Sequence, residues 1–493
     1  MLRQPTFPFK YEVEKKQTKL TAMAGLPLFL EFFRVVGLSE LIKRHLPGRS
    51  QGYSDVQMIE SLMLLQLVGG DCVDDIKLLE GDIGWRSFSS WAQERSLPRR
   101  ERLLIHQRFR RQSRRVYPSP SAIFRFLGRF HDQEQETQRQ AAREAGVFAF
   151  IPAANELLTS LQRIYHELVK KSASWSRQPT SLATIDMDAT LIRAAKSEAL
   201  RCYQGFESYQ PLNVYWAQQD VFVHTEFRDG NVPAGHQQLR VFQESLEALP
   251  STVARVNTRS DTAGYQHDFL KFCDRPESRE AKYRRWGKIE FAISCDVTRE
   301  FRELVRTTPE AKWHVLPTWR HGLLVDTGQA WAEICFVPNR SATSKHGEPY
   351  RYLAIREVYR EAELPGVAPP KPPAELHVET MGRKQYKIFG IVSNLQDWEG
   401  GELIRWQRQR CGKSEEAHAL LKSDLAGGKM PSGLFGANAA WWWLTMLTFN
   451  VVGAMKQLVL PSRFSRSRFK AIRLWLIHLP GCWQTHAGSW FMR

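Results

Sequence analysis

The chain has 493 residues, 43% of them hydrophobic and 25% charged. That excludes wholesale disorder and exceeds what one hydrophobic core organises, so about two to four domains are expected. It carries 69 Lys and Arg against 52 Asp and Glu, a formal net charge of +17, which suits a polyanion, with nucleic acid first and an anionic membrane surface second.

The seven cysteines are odd in number and none forms a CxxC pair. This argues against a disulfide framework and a zinc ribbon and points to a reducing compartment. The first twenty residues are polar and charged, without a signal-peptide pattern. Residues 20–81 repeat apolar positions at helical spacing, in LPLFLEFFRVVGLSELI and VQMIESLMLLQLVGG. Asp71, Asp74 and Asp75 follow the second helix and read as a turn and a cap. Residues 99–115 hold eight arginines and one acid, interleaved with Leu103, Leu104, Ile105 and Phe109. Next, Ser119 is placed to cap a helix with Pro120 at its first position. A basic helix followed by a capped amphipathic helix fits a helix-turn-helix-like DNA reader, with Arg110, Arg111 and Arg114 on phosphates. A further amphipathic helix covers 154–173.

From there the texture changes. SLATIDMDATLI, VYWAQQDVFVHTEF, TVARVNTRSD and KIEFAISCDV are rich in β-branched and aromatic residues at strand lengths. Asp229-Gly230-Asn231 reads as a turn, and HDFLKFCD as a helix. More strand-like pieces and a Pro-rich stretch, LPGVAPPKPPAEL, suggest an inserted β-rich module with a stiff connector. The strand QYKIFGIVSN, a helical pattern over 401–424 and the apolar stretch 439–455 complete the series. The last is short for a bilayer span and is interrupted by Thr445, Thr448 and Asn450, so it reads as a buried helix.

Acidic residues carry the candidate chemistry. Period two places Asp186, Asp188 and Thr190 on one face of a strand. Carboxylates in an apolar strand need a partner or a metal. Asp261 ends another strand just before a Gly turn, where ligand sites of α/β sheets concentrate. A helix opening after Gly412, with Ser414 as its cap, puts Glu415, His418 and Lys422 on one face. Carboxylates supply the hard oxygen ligands that Mg²⁺ and Mn²⁺ prefer, and two such ions can drive phosphoryl displacement. Asp186 and Glu416 stand as alternatives to Asp188 and Glu415.

At these residues the chain resembles the bacterial insertion-sequence DDE transposases, in particular the branch with a Y-R-E-K signature. The matching segments are D-x-T at Asp188-Ala189-Thr190, R-x-D-[ST] at Arg259-Ser260-Asp261-Thr262, and E-E-x-H-x-x-x-K at Glu415, Glu416, His418 and Lys422. Further similarity runs through YQGFESYQPLNVYWAQQD, FRDGNVPAGHQQL and LFGANAAWWWLTMLTFN. The signature's Tyr and Arg are absent: their positions hold Arg408 and Cys411, with Arg410 one residue off.

The resemblance implies an α/β fold: an RNase H-like mixed-sheet core with an inserted β-rich subdomain and an all-helical N-terminal region. In such folds the sheet carries both aspartates and a flanking helix presents the glutamate. The implied divisions are an end-binding helical region at 1–145, core at 150–300 and 391–455, the insertion at 301–390, and a basic tail at 456–493. Asp188, Asp261 and Glu415 become the catalytic ligands of two Mg²⁺ or Mn²⁺ ions. Lys422, Arg410, His418 and Arg259 join the arginine cluster as DNA contacts. Trp313, Trp319 and Trp331 of the insertion become candidates for stacking on a flipped base. The implied partners are terminal inverted repeats and target DNA, handled by a homodimer in the bacterial cytoplasm and nucleoid, with no membrane.

Overall fold

The computed structural model describes residues 19–48, 52–95, 115–147, 149–176, 178–194, 198–320, 323–336, 338, 350–361, 377–486 and 489–493. Arg110, Arg111 and Arg114 lie outside the described residues.

The described N-terminal part is helical, as its periodicity predicts. Helix α1 (Asp55–Val68) opens on a capping box, in which Ser54 Oγ accepts from the Gln57 amide and the Gln57 side chain accepts from the Ser54 amide. Ser119 caps Pro120–Gly128, accepting from the Ala122 amide. Asp75 accepts from the amides of Asp71 and Cys72, so the acidic group forms a turn. Helix α2 (Glu156–Trp175) turns a buried stripe of Leu161, Ile164, Tyr165 and Leu168 toward the core.

The main sheet comprises β1 (Leu182–Ala189), β2 (Leu212–Trp216), β3 (Val221–Glu226), β4 (Arg255–Ser260), β5 (Glu290–Cys295), β6 (His314–Val315), β7 (Gln329–Ile334), β8 (Arg351–Glu361), β9 (Val378–Met381) and β10 (Lys384–Ser393). Its order is β6-β7-β8-β10-β5-β4-β1-β2-β3, with β9 pairing β10. β1, β4 and β5 run parallel, while β2 and β3 extend the sheet antiparallel. The inserted β-rich segment continues this same sheet, because β10 pairs antiparallel with β5 from Gly390↔Cys295 to Ser393↔Ala292.

Two long helices cover the sheet. α3 (Gly400–Asp424) packs on β1, β4, β5 and β7, and α4 (Phe435–Leu458) packs on α1, α2 and β3. A side chain at Gly400 would fall 2.2 Å from the Trp331 ring, so glycine lets α3 approach β7.

α4 is the apolar helix of the sequence and is buried almost throughout. Its polar interruptions have partners inside the fold. Gln66 of α1 donates to Thr445 Oγ1 (2.9 Å) and accepts from Thr448 Oγ1 (2.7 Å). Asn450 bridges Tyr165 Oη and the backbone of Phe222. Among the described residues no single helix is long and apolar enough to cross a membrane.

The segment expected as a basic tail is folded. Gly481–His486 pairs with Leu20–Thr21 and with Ser489–Met492, and Trp483 stacks on Phe88 with ring centroids 4.1 Å apart. All seven cysteines are free.

Candidate active site

The parallel register of β1 and β4 pairs Asp186 with Arg259 and Met187 with Ser260. One residue further along, each chain segment holds an aspartate, Asp188 near the end of β1 and Asp261 just past β4. The Asp261 side chain accepts from the Ala263 amide (3.0 Å), which caps the following turn. A Cβ on Gly264 would lie 2.6 Å from Ser260, so this close turn needs glycine.

α3 brings the remaining groups over these strand ends. It runs unbroken from Gly400, capped by Glu399, so the expected start after Gly412 with Ser414 as cap is not found. Ser414 is instead buried in mid-helix, because packing against the sheet overrides the local break signal. Gln407 fastens the helix by donating to Ser260 O (3.3 Å) and Ser294 Oγ (3.1 Å).

Asp188 is where the fields meet. Its Oδ2 lies 3.6 Å from Arg410 Nη1 and 3.6 Å from His418 Nδ1, and its side chain is 18% exposed. Burial raises its carboxyl to about 6; Arg410 lowers it, while Asp261 and Glu415 raise it further. Glu415 is exposed on α3. The neighbouring Glu416 exerts its field on Tyr215 instead, which separates the two glutamates.

Asp186, on the same strand face, is fully buried and bound two-pronged by Arg259, with Nε–Oδ1 at 2.7 Å and Nη2–Oδ2 at 2.8 Å. Arg259 Nη1 also donates to Trp406 O (2.7 Å). These two residues therefore clamp β1, β4 and α3 together. Arg259, expected on DNA, is turned inward with its donors committed, and Asp186 is buried beneath the site with both oxygens on Arg259.

Lys422 donates to Thr190 Oγ1 (3.0 Å), which gives the threonine of D-x-T a role, and burial lowers its ammonium. Expected on DNA, His418 is buried between Asn213 and Asp188, and burial first, then Lys422 and Arg410, lowers it to about 3. Arg410 is buried beside Asp188, and its Nε has no hydrogen-bond partner among the described residues. Trp331 is packed inside against His314 and Gly400, so it offers no face to a base. Trp313 is half-buried with the Arg356 guanidinium over its ring, and the Trp319 side chain lies outside the described residues.

Among the described residues no three His, Cys, Asp or Glu side chains stand close enough to hold one metal ion. The donor chemistry nonetheless fits a hard divalent cation, with Asp261 and Glu415 both acting on a raised Asp188. Sequence reasoning missed Asn213 and Thr225; Asn213 is signalled by a lone amide in the apolar strand LNVYW, whereas Thr225 sits unmarked between His224 and Glu226.

A comparison with curated protein sequences finds no match. A cryo-EM structure of the piggyBac transposase synaptic complex with hairpin DNA is similar over 92% of this chain and 79% of that one, at 12% identity and a TM-score of 0.43. The family model described as transposase DDE domain group 1 matches residues 5–314, a span that includes Asp188 and Asp261 and ends before α3. With that match over more than half its length, the chain belongs to the group 1 DDE transposases, enzymes of DNA transposition.

Proposed function

We propose that Asp188, Asp261 and Glu415 hold two Mg²⁺ or Mn²⁺ ions and that this transposase moves its element by cut-and-paste. The observation that carries the reading is that the parallel register of β1 and β4 brings Asp188 and Asp261 to neighbouring positions, beneath the helix α3 that carries Glu415. A largely buried carboxylate such as Asp188, with Arg410 no nearer than 3.6 Å, calls for a further counter-charge. Bound ions would supply activation of the attacking oxygen and stabilisation of the leaving one.

The protein's own groups bind and orient. Lys422, steadied by Thr190, offers its ammonium to a DNA phosphate beside the acids. Arg410 neutralises and orients Asp188. In the first step a water oxygen bonds to phosphorus at the element's end and the bond to the 3′ oxygen breaks, freeing a 3′ hydroxyl. In the second, that hydroxyl bonds to a target phosphorus and displaces the target's own 3′ oxygen, with no covalent protein intermediate.

Terminal inverted repeats and target DNA are the substrates. The helical region 1–145 grips the ends, the core occupies 150–300 and 391–455, and the segment 301–390 extends its sheet. Two ends are handled together, so the working form is at least a homodimer. Asp188→Asn, Asp261→Asn and Glu415→Gln should each bind end DNA as the wild type does and fail to cut it. Retained cleavage in all three overturns the site, and cutting without strand transfer to a plasmid target would make the chain a nuclease only.

A further inference from the structure

A row of buried polar groups leads across the sheet to Asp188. The register places Asp188 opposite Asn213, and Asn213 opposite Thr225, so the three stand on one face across β1, β2 and β3. His418 of α3 and Trp442 of α4 meet this row. Trp442 Nε1 lies 2.9 Å from Thr225 Oγ1, and Thr225 Oγ1 lies 2.6 Å from Asn213 Oδ1. Asn213 Nδ2 lies 3.0 Å from His418 Nε2, and His418 Nδ1 faces Asp188 Oδ2 at 3.6 Å. Trp442, Thr225, Asn213 and His418 are each at most 5% exposed, so water does not substitute for these partners.

The chemistry of the groups gives the row a direction. An indole nitrogen only donates, so Thr225 Oγ1 accepts from Trp442. The hydroxyl has one proton, and it goes to Asn213. An oxygen that accepts from Thr225 is the amide carbonyl, which fixes the Asn213 flip and turns its NH₂ toward the imidazole. His418 Nε2 then accepts and carries no proton, which leaves the proton of the neutral ring on Nδ1. That N–H is on the ring nitrogen that lies 3.6 Å from Asp188 Oδ2. The ring is also held from the side by Phe222, stacked with centroids 5.6 Å apart and planes 23° apart.

We infer that Trp442, Thr225 and Asn213 form a one-way hydrogen-bond relay that sets the tautomer of His418 and aims its Nδ1–H at Asp188, making all four positioning residues of the site. The gap of 3.6 Å is longer than a hydrogen bond, and a small movement of the carboxylate closes it. The Arg410 contact falls on the same oxygen, so Oδ2 is the oriented one. Reversing the tautomer would set the lone pair of Nδ1 against the carboxylate. The relay also gives the WWW run of α4 a task beyond filling the core.

The inference rests on the proposed role of Asp188, and its test separates the two. Histidine is labelled with ¹⁵N in the full-length protein, His418 is assigned by its loss in His418→Asn, and the ring-nitrogen shifts are recorded. The expected result is a protonated Nδ1 and a bare Nε2 in the wild type and in Thr225→Ser, which keeps the hydroxyl. Thr225→Val removes it, and Asn213→Asp replaces the donor by an acceptor and draws the proton to Nε2. Both should cut end DNA about 10- to 100-fold more slowly, bind it as the wild type does, and bind Mn²⁺ more weakly in a titration without DNA. Thr225→Ser should restore cutting. A wild-type ring protonated on Nε2, or Thr225→Val cutting and binding Mn²⁺ like the wild type, overturns the relay and leaves the acids in place. Unimpaired cutting by Asp188→Asn overturns the site itself, and the relay's purpose with it.

Discussion

Asp186 and Asp188 stand two residues apart on one face of one strand, yet they belong to different regions of the molecule. Asp186 sits in the floor of the sheet, fully buried and matched by the two-pronged Arg259. Asp188 sits at the rim, where Arg410 answers it at 3.6 Å and two further carboxylates press on it. A buried charge that is fully matched holds elements together; a charge left in excess at a strand end is available for chemistry. The same division separates Arg259, clamped onto Trp406 O, from Lys422, whose ammonium donates to Thr190 and the Leu191 carbonyl.

The contrast can be broken by substitution, beginning with the largest effect. Asp188→Asn, Asp261→Asn and Glu415→Gln should lower cleavage by about three orders of magnitude, because losing several kcal/mol of charge stabilisation costs about tenfold per 1.4 kcal/mol. Arg259→Met should act on the floor instead. It leaves Asp186 buried and unmatched, and the denaturant midpoint should report a loss of about 3–5 kcal/mol. A variant that folds normally and merely fails to cut would move Arg259 into the site. The relay variants come next, slowing cleavage with little change in end binding.

Asp188→Asn should also stabilise the metal-free protein. Its carboxyl is raised in the fold to about 6, so ionisation costs stability above that pH and nothing below the unfolded value near 4. In EDTA the variant should exceed the wild type by about 1–3 kcal/mol at pH 7.5. The gain should shrink as pH falls through 6 and vanish near 4. Thermal melts across that range check it, and a variant less stable at pH 7.5 would make Asp188 a second floor residue. The smallest effect is that of Lys422→Ala, which should weaken DNA binding uniformly across sequences and reduce the salt slope by about 1.

Much of this architecture is written locally in the chain. The cap at Ser119, the alternation of β1, the buried character of α4 and the turn after Asp261 all follow from neighbouring residues. What local signals do not carry are pairings over distance. Period two puts Asp186 and Asp188 on the same face, and only Arg259, 73 residues on from Asp186, tells them apart. Gly412 and Ser414 imitate a helix start because they obey local rules, whereas the sheet beneath holds α3 continuous. That the inserted segment 301–390 joins the main sheet is not legible locally, because the pairing of β10 with β5 joins strands far apart in sequence. The relay is hidden for the same reason, since Asn213 and His418 are 205 residues apart.

The central claim is that Asp188 is part of a metal-dependent cutting site. A supercoiled plasmid carrying the element with its flanking DNA, incubated with Mg²⁺ or Mn²⁺ and either the wild type or Asp188→Asn, tests it most directly. The expected result is nicking and excision by the wild type, abolished by EDTA, and none by a variant that still binds the ends and melts no lower. Cutting by Asp188→Asn at the wild-type rate would contradict the account.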